Sequence, residues 1–96
     1  MKLGENAQAN WNLFDEAGPN DWWFHLNSFP SAHGWIESDL LDKTSLLECA
    51  EAVKEHSKYR HFKVKVIYTQ RKNLKKGKKK GSVIIQSNRQ CKTIVL

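Results

Sequence analysis

The sequence predicts an α+β fold: a mostly antiparallel sheet of about five short strands, one main helix and one short N-terminal helix. Three patterns carry this. Residues 21–26 and 62–69 alternate with the period of two that a half-buried strand requires. Leu46, Cys49, Ala50 and Val53 instead recur at i, i+3, i+4 and i+7, the stripe of an amphipathic helix. Short strands at 33–37, 82–86 and 92–96, the last two joined by a hairpin turn, complete a mostly antiparallel α+β pattern.

Taken in order, Ala7–Ala17 reads as a short helix with Ala7, Trp11 and Phe14 or Leu13 along one side. Gly18-Pro19-Asn20 is a turn that ends it. Asp21–Leu26 is a strand with Trp22, Phe24 and Leu26 on one face and Asp21, Trp23 and His25 on the other. A loop containing Pro30 leads to a second strand, His33–Glu37, in which His33 and Trp35 face the same way. The main helix is expected over Thr44–Ser57, with Ser45-Leu46-Leu47-Glu48 spaced as a capping box. Phe62–Thr69 is a strand with Phe62, Val64, Val66 and Tyr68 inward and Lys63 and Lys65 outward. A basic loop covers Arg71–Lys80. Ser82–Gln86 and Lys92–Leu96 then read as strands of a hairpin, joined by a turn at Ser87-Asn88-Arg89.

Ninety-six residues make one domain, 1–96, and a chain of this size buries only roughly 60–65 % of its unfolded surface. One core is therefore available, but no deep, multilayered active site. Hydrophobic residues are 40% and charged residues 27%, which supports a core and excludes a disordered composition. No apolar stretch reaches the length of a membrane span, and the N-terminus lacks the apolar core of a secretion signal, so a cytoplasmic protein is expected. Cys49 and Cys91 lack CxxC spacing and are expected to be free thiols, not half-cystines or zinc ligands. No cofactor or metal is indicated.

Charge is divided along the chain. All ten acidic residues lie in the first 55 residues, from Glu5 to Glu55, where the only cations are Lys2, Lys43 and Lys54, a net of −7. From His56 onward there are thirteen Lys or Arg and no acid, a net of +13. Such polarity points to a polyanionic partner on one side, nucleic acid before a membrane surface. Seven of the ten residues from Arg71 to Lys80 are cationic, and between two strands they form a presented loop suited to phosphate contact. The candidate phosphate ligands are Arg71, Lys72, Lys75, Lys76, Lys78, Lys79 and Lys80, with Lys63 and Lys65 extending the basic face. Four tryptophans are many for this length. Trp22 and Phe24 are assigned to the core. Trp23 and Trp35 share a side with His25 and His33, where Trp23, His25 and His33 can form an edge that stacks or hydrogen-bonds bases. Asp21, His25 and His33 are the only polar trio with catalytic residue types, but no third metal ligand and no nucleophile context accompany them.

In order, these segments resemble the NFACT RNA-binding domain family (NFACT-R). Its opening Gly-x-Asn-x-x-x-Asn is matched by Gly4-Glu5-Asn6-Ala7-Gln8-Ala9-Asn10, and its Asp-x-Trp-x-His strand by Asp21-Trp22-Trp23-Phe24-His25. Its Pro-Gly-Ser-His loop resembles Pro30-Ser31-Ala32-His33, and its Thr-Leu-Leu-Glu-Ala-Ala helix resembles Thr44–Ala50. Val66-Ile67-Tyr68-Thr69, the lysine loop and Gly81-Ser82-Val83-Ile84 complete the order. The resemblance implies a non-catalytic RNA-binding domain that contacts tRNA or ribosomal RNA, the ribosome included, in translation or ribosome quality control. The tailing activity of the family's larger factors is not implied, because their other domains have no counterpart here. Pro-Ser-Ala-His in place of Pro-Gly-Ser-His, and a short lysine-rich loop, depart from the family pattern. The alternatives are a protein-interaction module, a general nucleic-acid binder that takes DNA as well, and, more distantly, a small metal-dependent RNA-processing enzyme.

Overall fold

Alternating residues in the second strand sort into two cores, one on each side of a central sheet. The computed structural model describes residues 1–96, the side chain of Asn88 excepted. The elements are β1 (Lys2–Gly4), α1 (Ala7–Glu16), β2 (Trp22–Leu26), β3 (His33–Ile36), α2 (Lys43–Glu55), β4 (Lys65–Gln70), β5 (Leu74–Lys76), β6 (Val83–Ile85) and β7 (Lys92–Val95). Five strands form an antiparallel sheet in the order β1-β3-β2-β4-β7, and β5 and β6 form a separate ribbon. The α+β expectation holds; β1 escaped the sequence reading because three residues are too few to show a period.

On one face Phe24, Leu26, Val64 and Val66 pack against Cys49, Ala50 and Val53 of α2, the stripe expected from the helical spacing. Gly34 makes this approach possible. A Cβ there would lie 2.8 Å from both Cys49 Sγ and Val53 Cγ2, so a larger residue would push the helix off the sheet. α2 starts earlier than expected: Asp42 is its N-cap, with Oδ1 accepting from Ser45 N at 2.7 Å. Ser45 is therefore the third residue of the helix, and the expected capping box is not its start. Cys49 is a buried free thiol and Cys91 a half-buried one.

The opposite face carries Trp23 and Trp35, which pair across β2 and β3 and are covered by Phe14 of α1 and Leu74 of β5. The molecule thus has three layers: α2, the sheet, and α1 side by side with the β5–β6 ribbon. Three expectations are corrected here. The basic segment is not a loose loop, because Leu74 is buried in this second core and β5 pairs with β6. β6 and β7 are not a hairpin: after β6 the chain crosses back, Thr69 Oγ1 donates to Gln90 O at 3.0 Å, and β7 pairs with β4. Phe62 does not face inward; it precedes β4 in a turn closed by Phe62 N donating to Tyr59 O, and is 63 % exposed.

Candidate nucleic-acid interface

A cleft of about 590 Å³ opens between the β5–β6 ribbon, the N-terminal turn of α1 and the β2–β3 loop. Its floor is the outer face of β2 and β3, carrying Trp23, His25 and His33, with Ile67 of β4 beside them. One wall is Asn6, Ala7 and Asn10; another is Lys79, Lys80, Gly81 and Ser82; the third runs from Asn27 to Ser31.

Local contacts fix each wall. Asn6 caps α1 by accepting from Ala9 N at 2.8 Å. The ribbon is pinned to α1 by Trp11 Nε1, which donates to Ser82 O at 3.0 Å, and by Gly81. Gly81 has φ +85°, and a Cβ on it would lie 2.5 Å from the Ala7 Cα, so only glycine fits this contact. Within the turn, Ser82 N and Ser82 Oγ both donate to Lys79 O, at 3.0 and 2.6 Å. Lys78, Lys79 and Lys80 therefore stand on a fixed turn. Across the cleft, Ser28 is left-handed at φ +70°, and Ser31 Oγ accepts from Leu26 N and donates to Ala32 O. These bonds hold Phe29 outward, 41 % exposed and 4.4 Å from the Tyr59 ring.

The floor is ordered by hydrogen bonds that settle its tautomers. Trp23 Nε1 can only donate, so His33 Nδ1, 3.1 Å away, accepts, and the His33 ring proton sits on Nε2. Leu26 O can only accept, so His25 Nδ1, 2.7 Å away, donates. His25 stacks on Trp23 and meets His33 edge-on at 4.9 Å. Burial lowers the pKa of His25, and takes that of His33 to about 3, with the nearby His25 charge adding a smaller push. Because unfolded histidine takes up a proton near pH 6.5, the folded state binds fewer protons below that pH. The stability contributed by neutral His33 is fully present above pH 6.5 and lost as pH falls toward 3. Between pH 7.5 and 5 the expected loss is about 2 kcal/mol, at ~1.4 kcal/mol per unit below 6.5. Thermal denaturation at the two pH values checks this, and His33→Asn should flatten the difference.

The twelve residues singled out from the sequence separate into groups. Lys79 and Lys80 line the cleft, and Lys78 precedes them in the same turn. Lys65 lies beside its mouth, since its carbonyl accepts from Asn27 N at 2.9 Å; Lys63 is exposed just before it. Lys72 and Lys75 are exposed, but Lys75 points away from α1 on the outer side of the ribbon with Ile84. Arg71 and Lys76 have partners within the fold. The Arg71 guanidinium lies 4.2 Å from the Phe14 ring centroid and Nε donates to Phe14 O at 2.7 Å. Lys76 Nζ pairs with Asp15 at 2.8 Å above the Trp11 ring. Trp23, only 3 % exposed, and His33, also buried, contribute floor and not platform; His25 is the more accessible of the three. Trp23 therefore cannot offer an open ring face to a base.

Asp21 does not join the histidines. Its Oδ2 accepts from Gly18 N at 2.9 Å, closing the turn after α1. Among the described residues no group of three His, Cys, Asp or Glu is placed to hold a metal ion. No helix among them is long and apolar enough to cross a membrane. The exposed aromatics are Phe29 and Phe62, with half-buried Tyr59 between them at ring-centroid distances of 4.4 and 6.3 Å. Their signal was in the sequence: Lys58-Tyr59-Arg60-His61-Phe62-Lys63 interleaves aromatic and basic residues outside any regular element.

The chain is similar to known proteins in sequence and in fold. The chain is 29% identical over 102 residues to a coiled-coil domain-containing protein 25 homolog from Dictyostelium discoideum, covering 96% of this chain and 50% of that protein. It is 32% identical over 82 residues to coiled-coil domain-containing protein 25 of Bos taurus, covering 77% of this chain and 39% of the relative. The chain thus spans half or less of the length of these relatives. The solved C-terminal part of the fibronectin/fibrinogen-binding protein from Streptococcus suis superposes with a TM-score of 0.85 at 27% identity, over 98% of this chain and 39% of that one. The family model for the NFACT protein RNA binding domain matches residues 2–87, from β1 through the end of the β5–β6 ribbon and its cleft wall. The chain belongs to the NFACT RNA-binding domain family.

Proposed function

We propose that this domain binds tRNA or ribosomal RNA in a cytoplasmic translation or ribosome-quality-control setting, by contact and without catalysis. Family membership supplies the RNA-binding role. The observation that carries the finer reading is the cleft, whose rim has Lys79 and Lys80 on one side and Phe29 on the other. Lys78, Lys79 and Lys80, with Lys63 and Lys65 on the facing side, neutralise backbone phosphates and position the strand. Phe29 and Phe62, backed by Tyr59, offer faces on which unpaired bases can stack, as single-stranded loops and ends of folded RNAs allow.

The test is fluorescence polarisation with labelled tRNA and with single- and double-stranded DNA of matched length, across a salt series. The expected result is tRNA binding that exceeds both DNAs and persists at about 150 mM salt, where surface charges are substantially screened. Equal binding to all three, collapsing together as salt rises, would make the lysine turn a generic phosphate hook and overturn the reading.

A further inference from the structure

We infer that the cleft floor is a ribose-reading site, in which His25 Nε2 accepts a hydrogen bond from the 2′-hydroxyl of an unpaired ribonucleotide. This rests on the RNA-binding reading and adds to it the group by which RNA is told from DNA.

The chemistry of the floor selects the ligand. His25 donates through Nδ1 to Leu26 O, so in the neutral ring Nε2 bears a lone pair. It has no hydrogen-bond partner among the described residues, and the ring lines the cleft. His33, with Nδ1 occupied by Trp23, carries its ring proton on Nε2 beside it. The floor is thus an uncharged pair, one acceptor and one donor, set among Trp23, Ile67 and Val83. Burial keeps both rings neutral near pH 7, so the pattern does not invert to two donors. A phosphate oxygen finds no charge on this floor and meets a lone pair at His25. A hydroxyl, both donor and acceptor, matches it.

Placement favours the sugar over the base. The cations are at the rim, on Lys79 and Lys80, where the phosphate would be held. Phe29 is also at the mouth, 41 % exposed with its ring beside Tyr59, where a base can reach it. The sugar joins those two groups, so with phosphate and base both at the rim it is the ribose that lies over the floor. The volume, about 590 Å³, lies within the range that single small ligands occupy. Deoxyribose has no group for His25, and a 2′-O-methyl ribose keeps its oxygen but has no proton to give.

The experiment compares a single-stranded RNA of about ten nucleotides, a length one small domain covers, with its 2′-deoxy and 2′-O-methyl counterparts of identical sequence. Binding is measured by fluorescence polarisation at fixed salt. The 2′-O-methyl strand retains RNA-like sugar pucker, so it isolates the lost proton. The unaltered protein should bind the RNA about fivefold more tightly than either counterpart, the scale of one hydrogen bond. His25→Phe, which keeps a ring stacked on Trp23 and is checked for folding by its melting temperature, should bind all three alike with an unchanged salt dependence. Binding of the 2′-O-methyl strand as tight as the RNA overturns the inference while leaving RNA binding intact. So does a folded His25→Phe protein that keeps the preference. Failure of the protein to bind any of the strands, or tRNA, overturns the RNA-binding reading and this inference together.

Discussion

Replacing Lys78, Lys79 and Lys80 together by alanine is expected to weaken RNA binding on the order of a hundredfold at 0.1 M salt, with the loss fading toward 1 M. Each neutralised phosphate on a single strand contributes a slope of about −0.7 to log K against log salt, so three contacts account for about two units of slope. All three lysines are exposed, and the turn carrying them is held by Ser82 and by Trp11, not by the lysine side chains. The triple variant should therefore melt at nearly the temperature of the unaltered protein. Arg71→Ala with Lys76→Ala removes nearly as much charge and should do the reverse. Arg71 holds α1 through Phe14, and Lys76 holds it through Asp15, so their loss costs about 1–2 kcal/mol of stability and leaves the salt slope nearly unchanged. Salt-series binding and thermal denaturation of the two variants separate the roles. An equal fall in slope for both would show that the whole basic run acts as one diffuse charge.

Local order explains what the sequence made legible. α2 was readable because it buries one stripe, Leu46, Cys49, Ala50 and Val53, against the sheet, and β2 because its alternate residues divide between the two cores, Phe24 and Leu26 on one side and Trp23 on the other. The ribbon was hidden because its own pattern is swamped by lysine: one buried residue, Leu74, anchors β5, and a single apolar position has no period. The β6–β7 error has a different cause. A turn at residues 87–90 looks the same locally whether the following strand folds back on β6 or crosses to β4, and only the packing of Thr69 against Gln90 decides. For the candidate site, the sequence showed which residues share a face and which are cationic, but not which of them are buried or already partnered. Alternation put Trp23, His25 and His33 on one face, which the structure keeps, but could not tell that α1 and the ribbon cover that face and leave a cleft at its end. Neither could it show that Arg71 and Lys76 are spent on Phe14 and Asp15, because those partners lie some sixty residues away, at separations of 57 and 61.

Trp23→Ala is expected to cost about 3–5 kcal/mol, the range for emptying a buried aromatic site. In a domain whose whole stability is of the order of 5–15 kcal/mol, that leaves a largely unfolded or marginal protein at 37 °C. The ring sits on the floor between Trp35, Phe14 and Leu74, stacks on His25, and gives His33 its hydrogen bond, so its loss also removes the support of the cleft. Phe29→Ala should behave oppositely, with little change in melting temperature and a loss of RNA affinity of about 1–3 kcal/mol if one base stacks there. Phe29 is held outward by the β2–β3 loop and touches chiefly Tyr59. Denaturant unfolding and tRNA binding of the two variants distinguish the aromatic that builds the interface from the aromatic that forms it. A stable Trp23→Ala protein with lost RNA binding would reverse the assignment, making the sheet face, and not the β2–β3 loop, the surface on which bases stack.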